Sequence, residues 1–308
     1  MPGSSTATLP RPVQFQHMGI WQLTGLLAAF LLLGSCSSGW AAMDPVLPPA
    51  ATILVSPGDG AADDNAAKNV LTYHNDNART GQALHETILT PDNVNVGSFG
   101  KLFVIPVDGK VDAEPLYASG IRGHNLLVVA TEHDSVYALD ADNGAPVWRV
   151  SMLAPGETPS DDRGCSQVTP EIGITATPVI DRKTGRHGTV YVVAMSKDRA
   201  GRYFQRLHAL DLATGAEQFG GPQEIHASFP GRGDNSIGNL VVFDPAQYKE
   251  RPGLLLVNGM IYTSWSSHCD IRPYTGWIMA YDPTSLAQIS VLNVTPNGNE
   301  GSFWNSGV

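Results

Sequence analysis

Basic residues are scarce in this chain. Across 308 residues, 19 Lys and Arg face 29 Asp and Glu, a formal net charge of −10. That balance excludes sequence-independent nucleic-acid binding, which needs basic side chains to neutralise phosphates. It also excludes docking by charge on an anionic lipid surface, and leaves a lipid anchor as the one route to a membrane. Cysteine is nearly absent: Cys36, Cys165 and Cys269 are far apart, with no vicinal or Cys-x-x-Cys pair. A redox dithiol and a cysteine-built zinc site are thereby excluded. No Gly-x-Ser-x-Gly, His-Glu-x-x-His or phosphate-cradling glycine loop occurs. Asp140-Ala-Asp-Asn-Gly144 lacks the ligand spacing of a calcium loop and reads as a hairpin turn, so no metal site is expected. Arg232-Gly-Asp234 is too short a match to carry meaning.

Charge is also missing between Arg11 and Asp44, where Ile20 to Leu33 is an apolar run. Its length suits an export signal and is short for a membrane span. Two cleavage readings compete. Leu33-Gly-Ser-Cys36 resembles a lipobox in which Cys36 is lipidated, and Gly39-Trp-Ala41 suits ordinary cleavage. An uncleaved anchor is the third option. Each places the body of the protein outside the cytoplasm, in a bacterial periplasm, on the outer membrane or secreted. Residues 1–42 are thus read as the signal and 43–68, rich in Ala, Pro, Gly and Asp, as a flexible linker. In an oxidising compartment Cys165 and Cys269 either pair, closing a loop worth ~4–5 kcal/mol in the chain-entropy model, or stay as separate buried thiols.

What the chain does have is repetition. Val136-Tyr-Ala-Leu-Asp140, Leu207-His-Ala-Leu-Asp211 and Ile278-Met-Ala-Tyr-Asp282 recur at a step of 71 residues, and Ala145, Ala216 and Ala287 keep that step. A fixed period means one supersecondary unit copied, each copy burying its apolar face on a neighbour. Every copy reads as four short strands. The first are predicted at Ala113–Tyr117, Ala176–Ile180 and Asn239–Phe243, which keep a 63-residue step. The second are continuous apolar runs, Leu126–Ala130, Val190–Ala194 and Met260–Thr263. The phrase is the third strand and ends in a tight turn. The fourth carries Trp148 or Phe219, with Ser290 in the last copy. Four antiparallel strands without helical periodicity describe a β-propeller blade. The expected fold is all-β: a partial β-propeller over 69–308, with blades at about 112–152, 173–225 and 238–295. The segment from Tyr73 to Val111 is expected to complete or close a blade, and the chain to be the N-terminal part of a longer protein.

Ala138-Leu-Asp-Ala-Asp-Asn-Gly144 with Trp148, and Ala209-Leu-Asp-Leu-Ala-Thr-Gly215, resemble the repeat of pyrroloquinoline-quinone (PQQ)-like propeller proteins. The flanking Tyr73–Gly81 and Ser267–Tyr274 are similar to an exported bacterial branch of that family. The resemblance implies blade docking by Asp140, Gly144, Trp148, Asp211, Gly215 and Asp282. It implies PQQ and calcium only as family cofactors. The vicinal cysteines expected of the quinoprotein enzymes are absent, and no calcium ligands can be matched residue by residue.

Propeller topology sends the long connections 153–172, 197–205, 220–237 and 266–276 mostly to one face, with Asp244 to Gly253 on the other. Long loops sharing a face mark a binding surface. Cys165 and Cys269 both lie there, which favours a bridge. The candidate binding residues are Glu132, His133, Arg163, Glu171, Asp198, Arg202, His268 and Asp270, whose mixed charges suit a protein or small-molecule ligand. Two readings of function follow. One is an exported binding or scaffold module of the cell envelope; the other is a PQQ- and calcium-dependent dehydrogenase, or a fragment of one.

Overall fold

β-branched apolar runs are most stable as strands covered on both faces. In the computed structural model, which describes residues 69–303, Thr189–Lys197 is such a strand, buried at every position but its last. The signal-like segment, Cys36, the linker and residues 304–308 lie outside the described residues. Among the described residues there is no helix, and three large antiparallel sheets and one small one follow one another along the chain.

The first sheet holds β1 (Leu116–Ile121), β2 (His124–Ala130), β3 (Ser135–Asp140) and β4 (Pro146–Ser151), in that order. The second is built on β5 (Thr158–Asp161), β6 (Glu171–Ile172), β7 (Val179–Asp181), β8 (Thr189–Lys197), β9 (Tyr203–Asp211) and β10 (Gln223–Glu224). Here β5 and β7 share one edge of β8, while β9 and then β10 follow on the other. A small three-stranded sheet of β11 (Ser228–Pro230), β12 (Ser236–Ile237) and β13 (Leu240–Val242) intervenes. The third large sheet has β14 (Tyr248–Glu250) and β15 (Leu255–Val257) together on β16 (Met260–Ser267), then β17 (Trp277–Tyr281) and β18 (Gln288–Asn293). These are propeller blades, and they do not close into a ring among the described residues. Leu126, Val128 and Ala138 pack on Val190, Val192 and Leu210 between the first two blades. Tyr191, Leu207, Phe243, Trp265 and Trp277 form the core between the second and third.

The 71-residue phrase is the third strand of every blade. Asp140, Asp211 and Asp282 each donate their N–H to the carbonyl of Ala145, Ala216 or Ala287, at 2.8–2.9 Å. The carbonyl of each aspartate in turn accepts from the N–H of Gly144, Gly215 or Leu286. Their carboxylates cap the turn two residues on, accepting from the N–H of Asp142, Ala213 and Thr284. The turn places its fifth residue in the left-handed region: Gly144 (φ 77), Gly215 (φ 71) and Leu286 (φ 56). Leu286 is buried beside Phe219 in the inter-blade core. Packing there offsets the backbone strain a leucine carries.

Three expectations need correction. Asn239–Phe243 is not the first strand of the third blade; Leu240–Val242 is β13 of the intervening sheet. The run is apolar because Val241 and Phe243 enter the core between blades. The first-strand position is filled by β14 and β15, so the supposed insertion from Asp244 to Gly253 holds a blade strand. In the second blade the fourth strand breaks at Phe219 (φ 57), leaving a bridge at Glu217 and the short β10. The segment from Tyr73 to Val111 forms no strand, and only Val70 bridges to Tyr117.

Trp148 Nε1 donates to Leu212 O at 3.1 Å, and a Cβ on Gly215 would lie 2.6 Å from the Trp148 ring. Gly215→Ala is expected to cost about 2–4 kcal/mol, combining left-handed strain with displacement of the indole. Gly201→Ala shares the strain (φ 78) but has nothing within 4 Å, and is expected to cost only about 1–2 kcal/mol. Urea unfolding of the two variants measures the difference.

Candidate functional site

Burying an ionisable side chain costs free energy unless hydrogen bonds or an opposite charge compensate it. Such groups gather at the turn between β2 and β3 and on β14. Glu132 follows β2, is 1 % exposed, and accepts from Gly173 N at 2.8 Å and Thr175 Oγ1 at 3.1 Å through Oε2. Gly173 is required by this approach: a Cβ there would lie 2.5 Å from Glu132 O. Oε1 of Glu132 is buried without a hydrogen-bond partner among the described residues. Burial therefore pushes Glu132 up to about 7, with Asp112 adding to the rise and the Gly173 N–H and Lys249 opposing it. Lys249, on β14, is 5 % exposed; burial pulls it down to about 8, against the attraction of Glu132. Asp134 and Glu250 are buried without a side-chain hydrogen-bond partner and are held well above the usual carboxylate range, mainly by desolvation.

Thr175, which donates to Glu132, also lines a cavity of about 220 Å³ together with Tyr73, Lys110, Asp112, Gln167, Thr177 and Arg251. Lys110 and Asp112 precede β1 and pair at 2.9 Å; Thr175 and Thr177 precede β7; Arg251 lies between β14 and β15. All three blades thus contribute polar side chains from their inner edge. Thr175 also lines a void of about 10 Å³ beneath, shared with Lys249 and Glu250. Lys110, Asp112, Lys249, Glu250 and Arg251 were missed from sequence. Their one signal was the charged run Lys249-Glu-Arg251, abutting Tyr248 where a blade strand was due.

The loop-face candidates fall into separate groups. His133 Nδ1 lies 2.9 Å from Glu171 Oε1, beside Glu132, in a contact between the first and second blades. Arg163 stacks on Tyr203 and donates to its hydroxyl at 2.6 Å. Tyr203 and Lys197 converge on Asp161, at 2.7 and 2.6 Å. Burial works to raise Asp161, yet those bonds hold it well below the usual carboxylate range. Asp198 and Arg202 form a local pair across the β8–β9 turn, and Asp270 accepts from Tyr274. His268 is buried, with Nε2 unpartnered; desolvation, then Lys249 and Arg163, lower it to about 3. Cys165 and Cys269 form a disulfide with Cα atoms 5.6 Å apart, tying the β5–β6 connection to the β16–β17 turn. Arg232-Gly-Asp234 is engaged within the fold, since Asp234 pairs with Arg272 at 2.8 Å.

A quinone with a cation needs a converging donor set. Among the described residues no three His, Cys, Asp or Glu side chains are arranged to hold a metal ion. The residues present do not fit that pair, and no step is derived through it.

Two outcomes follow from the buried charges and the bridge. Reducing the disulfide, whose ends are 104 residues apart, is expected to lower stability by about 2–5 kcal/mol, read from urea midpoints with and without reductant. Glu132 keeps its proton in the folded state to about 7 but loses it near 4.5 when unfolded. Its contribution is therefore complete below the lower value and lost as pH rises through the upper. Glu132→Gln stays neutral, so its stability relative to the unsubstituted protein is expected to rise by about 1–3 kcal/mol across that window. Parallel urea titrations at stepped pH check this.

No family model matches the chain, and no curated protein matches it. Solved structures do. The quinohemoprotein alcohol dehydrogenase of Comamonas testosteroni is 20 % identical with a TM-score of 0.48, covering 73 % of this chain and 27 % of its own. Quinohemoprotein alcohol dehydrogenase ADHIIG of Pseudomonas putida HK5 is 18 % identical with a TM-score of 0.48, covering 75 % and 27 %. BamB of Moraxella catarrhalis is 18 % identical with a TM-score of 0.33, covering 59 % and 40 %. The chain spans about a quarter of the length of the two alcohol dehydrogenases.

Proposed function

We propose that this chain is an exported β-propeller module that binds a small polar ligand at the inner edge of its blades. The observation that carries the reading is the cavity of about 220 Å³ whose polar lining is drawn from the beginnings of three successive blades. A concave site with convergent polar groups and perturbed ionisable residues is the arrangement ligand sites take. Lys110 and Asp112 offer both signs of charge at its rim, while Tyr73, Thr175 and Gln167 supply neutral donors and acceptors. Behind Thr175, burial pushes Glu132 up to about 7, so the charge beside the cavity can adjust to the occupant. Export is supported by the Cys165–Cys269 disulfide, a bond that persists in oxidising compartments, and by the signal-like N-terminus.

The test is thermal unfolding with a panel of small carboxylates, phosphates, amines and polyols. A ligand at 100 times its Kd adds about 2.7 kcal/mol, a shift of roughly 5–10 °C for a domain of this size. The shift is expected to vanish in Lys110→Ala and Thr175→Val. A panel with no shift, or a shift that survives both substitutions, overturns the reading.

A further inference from the structure

A concave patch of one charge sign focuses the field and selects its partner by charge. The chain carries a formal net charge of −10, and one turn of the second blade runs against that sign. The turn joining β8 to β9, with the segment leading into β5, forms a cavity of about 410 Å³ whose lining includes Glu157, Thr158, Lys197, Asp198, Arg199 and Tyr203. It shares no lining residue with the cavity at the inner edge of the blades.

The acids of this region are already answered. Glu157 accepts from both terminal nitrogens of Arg206, at 2.7 and 2.8 Å, and from Ser196 Oγ at 2.8 Å. Asp198 accepts from Arg202 Nε at 2.7 Å and from the N–H groups of Ala200 and Arg202 at 2.9 Å. Asp161 is shared between two cations, Lys197 Nζ at 2.6 Å and Arg163 Nη1 at 3.5 Å. Asp162 accepts from the Gly164 N–H at 3.0 Å. The bond to Asp161 holds Lys197 above its usual value, so it stays charged. Arg199 is left over. It is exposed on the turn, and its guanidinium makes no hydrogen bond or ion pair among the described residues. Next to it the Arg202 side chain is 75 % exposed.

We infer that the β8–β9 turn is a docking surface for an acidic segment of a partner protein, whose carboxylates pair with Arg199 and Lys197. A lone small anion gains little there, because Lys197 already donates to Asp161 and Arg199 reaches into solvent. A peptide with several carboxylates meets Arg199, Lys197 and Arg202 together, and each contact raises the effective concentration of the next. A single-stranded nucleic acid would need open aromatic faces for its bases. The rings here already carry guanidinium groups: Arg163 lies 4.2 Å from the Tyr203 centroid and Arg206 4.4 Å from that of Phe204. This inference does not depend on the reading of the inner cavity.

The test is fluorescence anisotropy of a labelled hexaglutamate peptide titrated with the full chain at low salt. Saturable binding is expected, and it weakens as salt screens the charges. Arg199→Glu is expected to weaken it on the order of 10- to 100-fold, since a like charge then faces the peptide. Arg186→Glu makes the same charge change on the exposed turn before β8 and is expected to leave binding nearly as it was. No saturable binding overturns the inference. So does an equal loss in both variants, which would make the attraction one of bulk charge. Tighter binding of a hexathymidine oligonucleotide than of hexaglutamate overturns it in favour of a nucleic acid.

Discussion

The turn after each third strand is the constraint on which this architecture rests. One aspartate closes it three ways, through its N–H, its carbonyl and its carboxylate. The closure forces a left-handed residue at a fixed place. That residue leaves a flat seat, and in the first two blades the seat is a glycine onto which a bulky side chain from outside the blade settles. Local hydrogen bonding at the turn thereby sets the spacing between blades. In the third copy Leu286 occupies the same position and contributes its own side chain to the interface. The backbone geometry is kept and the packing is inverted.

Much of the fold was legible because the signal is periodic. The phrase ending in Asp140, Asp211 and Asp282 marks the third strand correctly in all three blades, and Val190–Ala194 marks a fully buried second strand. The first strand of the third blade was not legible. Asn239–Phe243 is apolar and keeps a 63-residue step, but its burial comes from packing between blades rather than from pairing within one. The strand that does pair, Tyr248–Glu250, carries Lys249 and Glu250, and charged residues read as loop.

The same blindness hid the inner site. Sequence reasoning sought chemistry in long surface loops and found residues that largely pair with their neighbours, as Asp198 does with Arg202 and His133 with Glu171. The perturbed groups sit instead in the short turn between β2 and β3 and on the first strand β14, away from the long loops. Glu132 was named for its loop, yet its character comes from Gly173, Thr175, Asp112 and Lys249, which only the fold assembles.

The disulfide changes how the repeats behave as a linear array. In a chain of nearest-neighbour units, a boundary between ordered and melted repeats can form at any interface. The bond from Cys165 to Cys269 joins the second blade to the third. A boundary between those two is therefore suppressed, while the junction of the first and second blades is held by packing and by hydrogen bonds such as those of Trp148, Glu132 and His133, with no covalent tie among the described residues. Partial opening is directed to that junction, which makes the second and third blades one cooperative unit and the first a separable one.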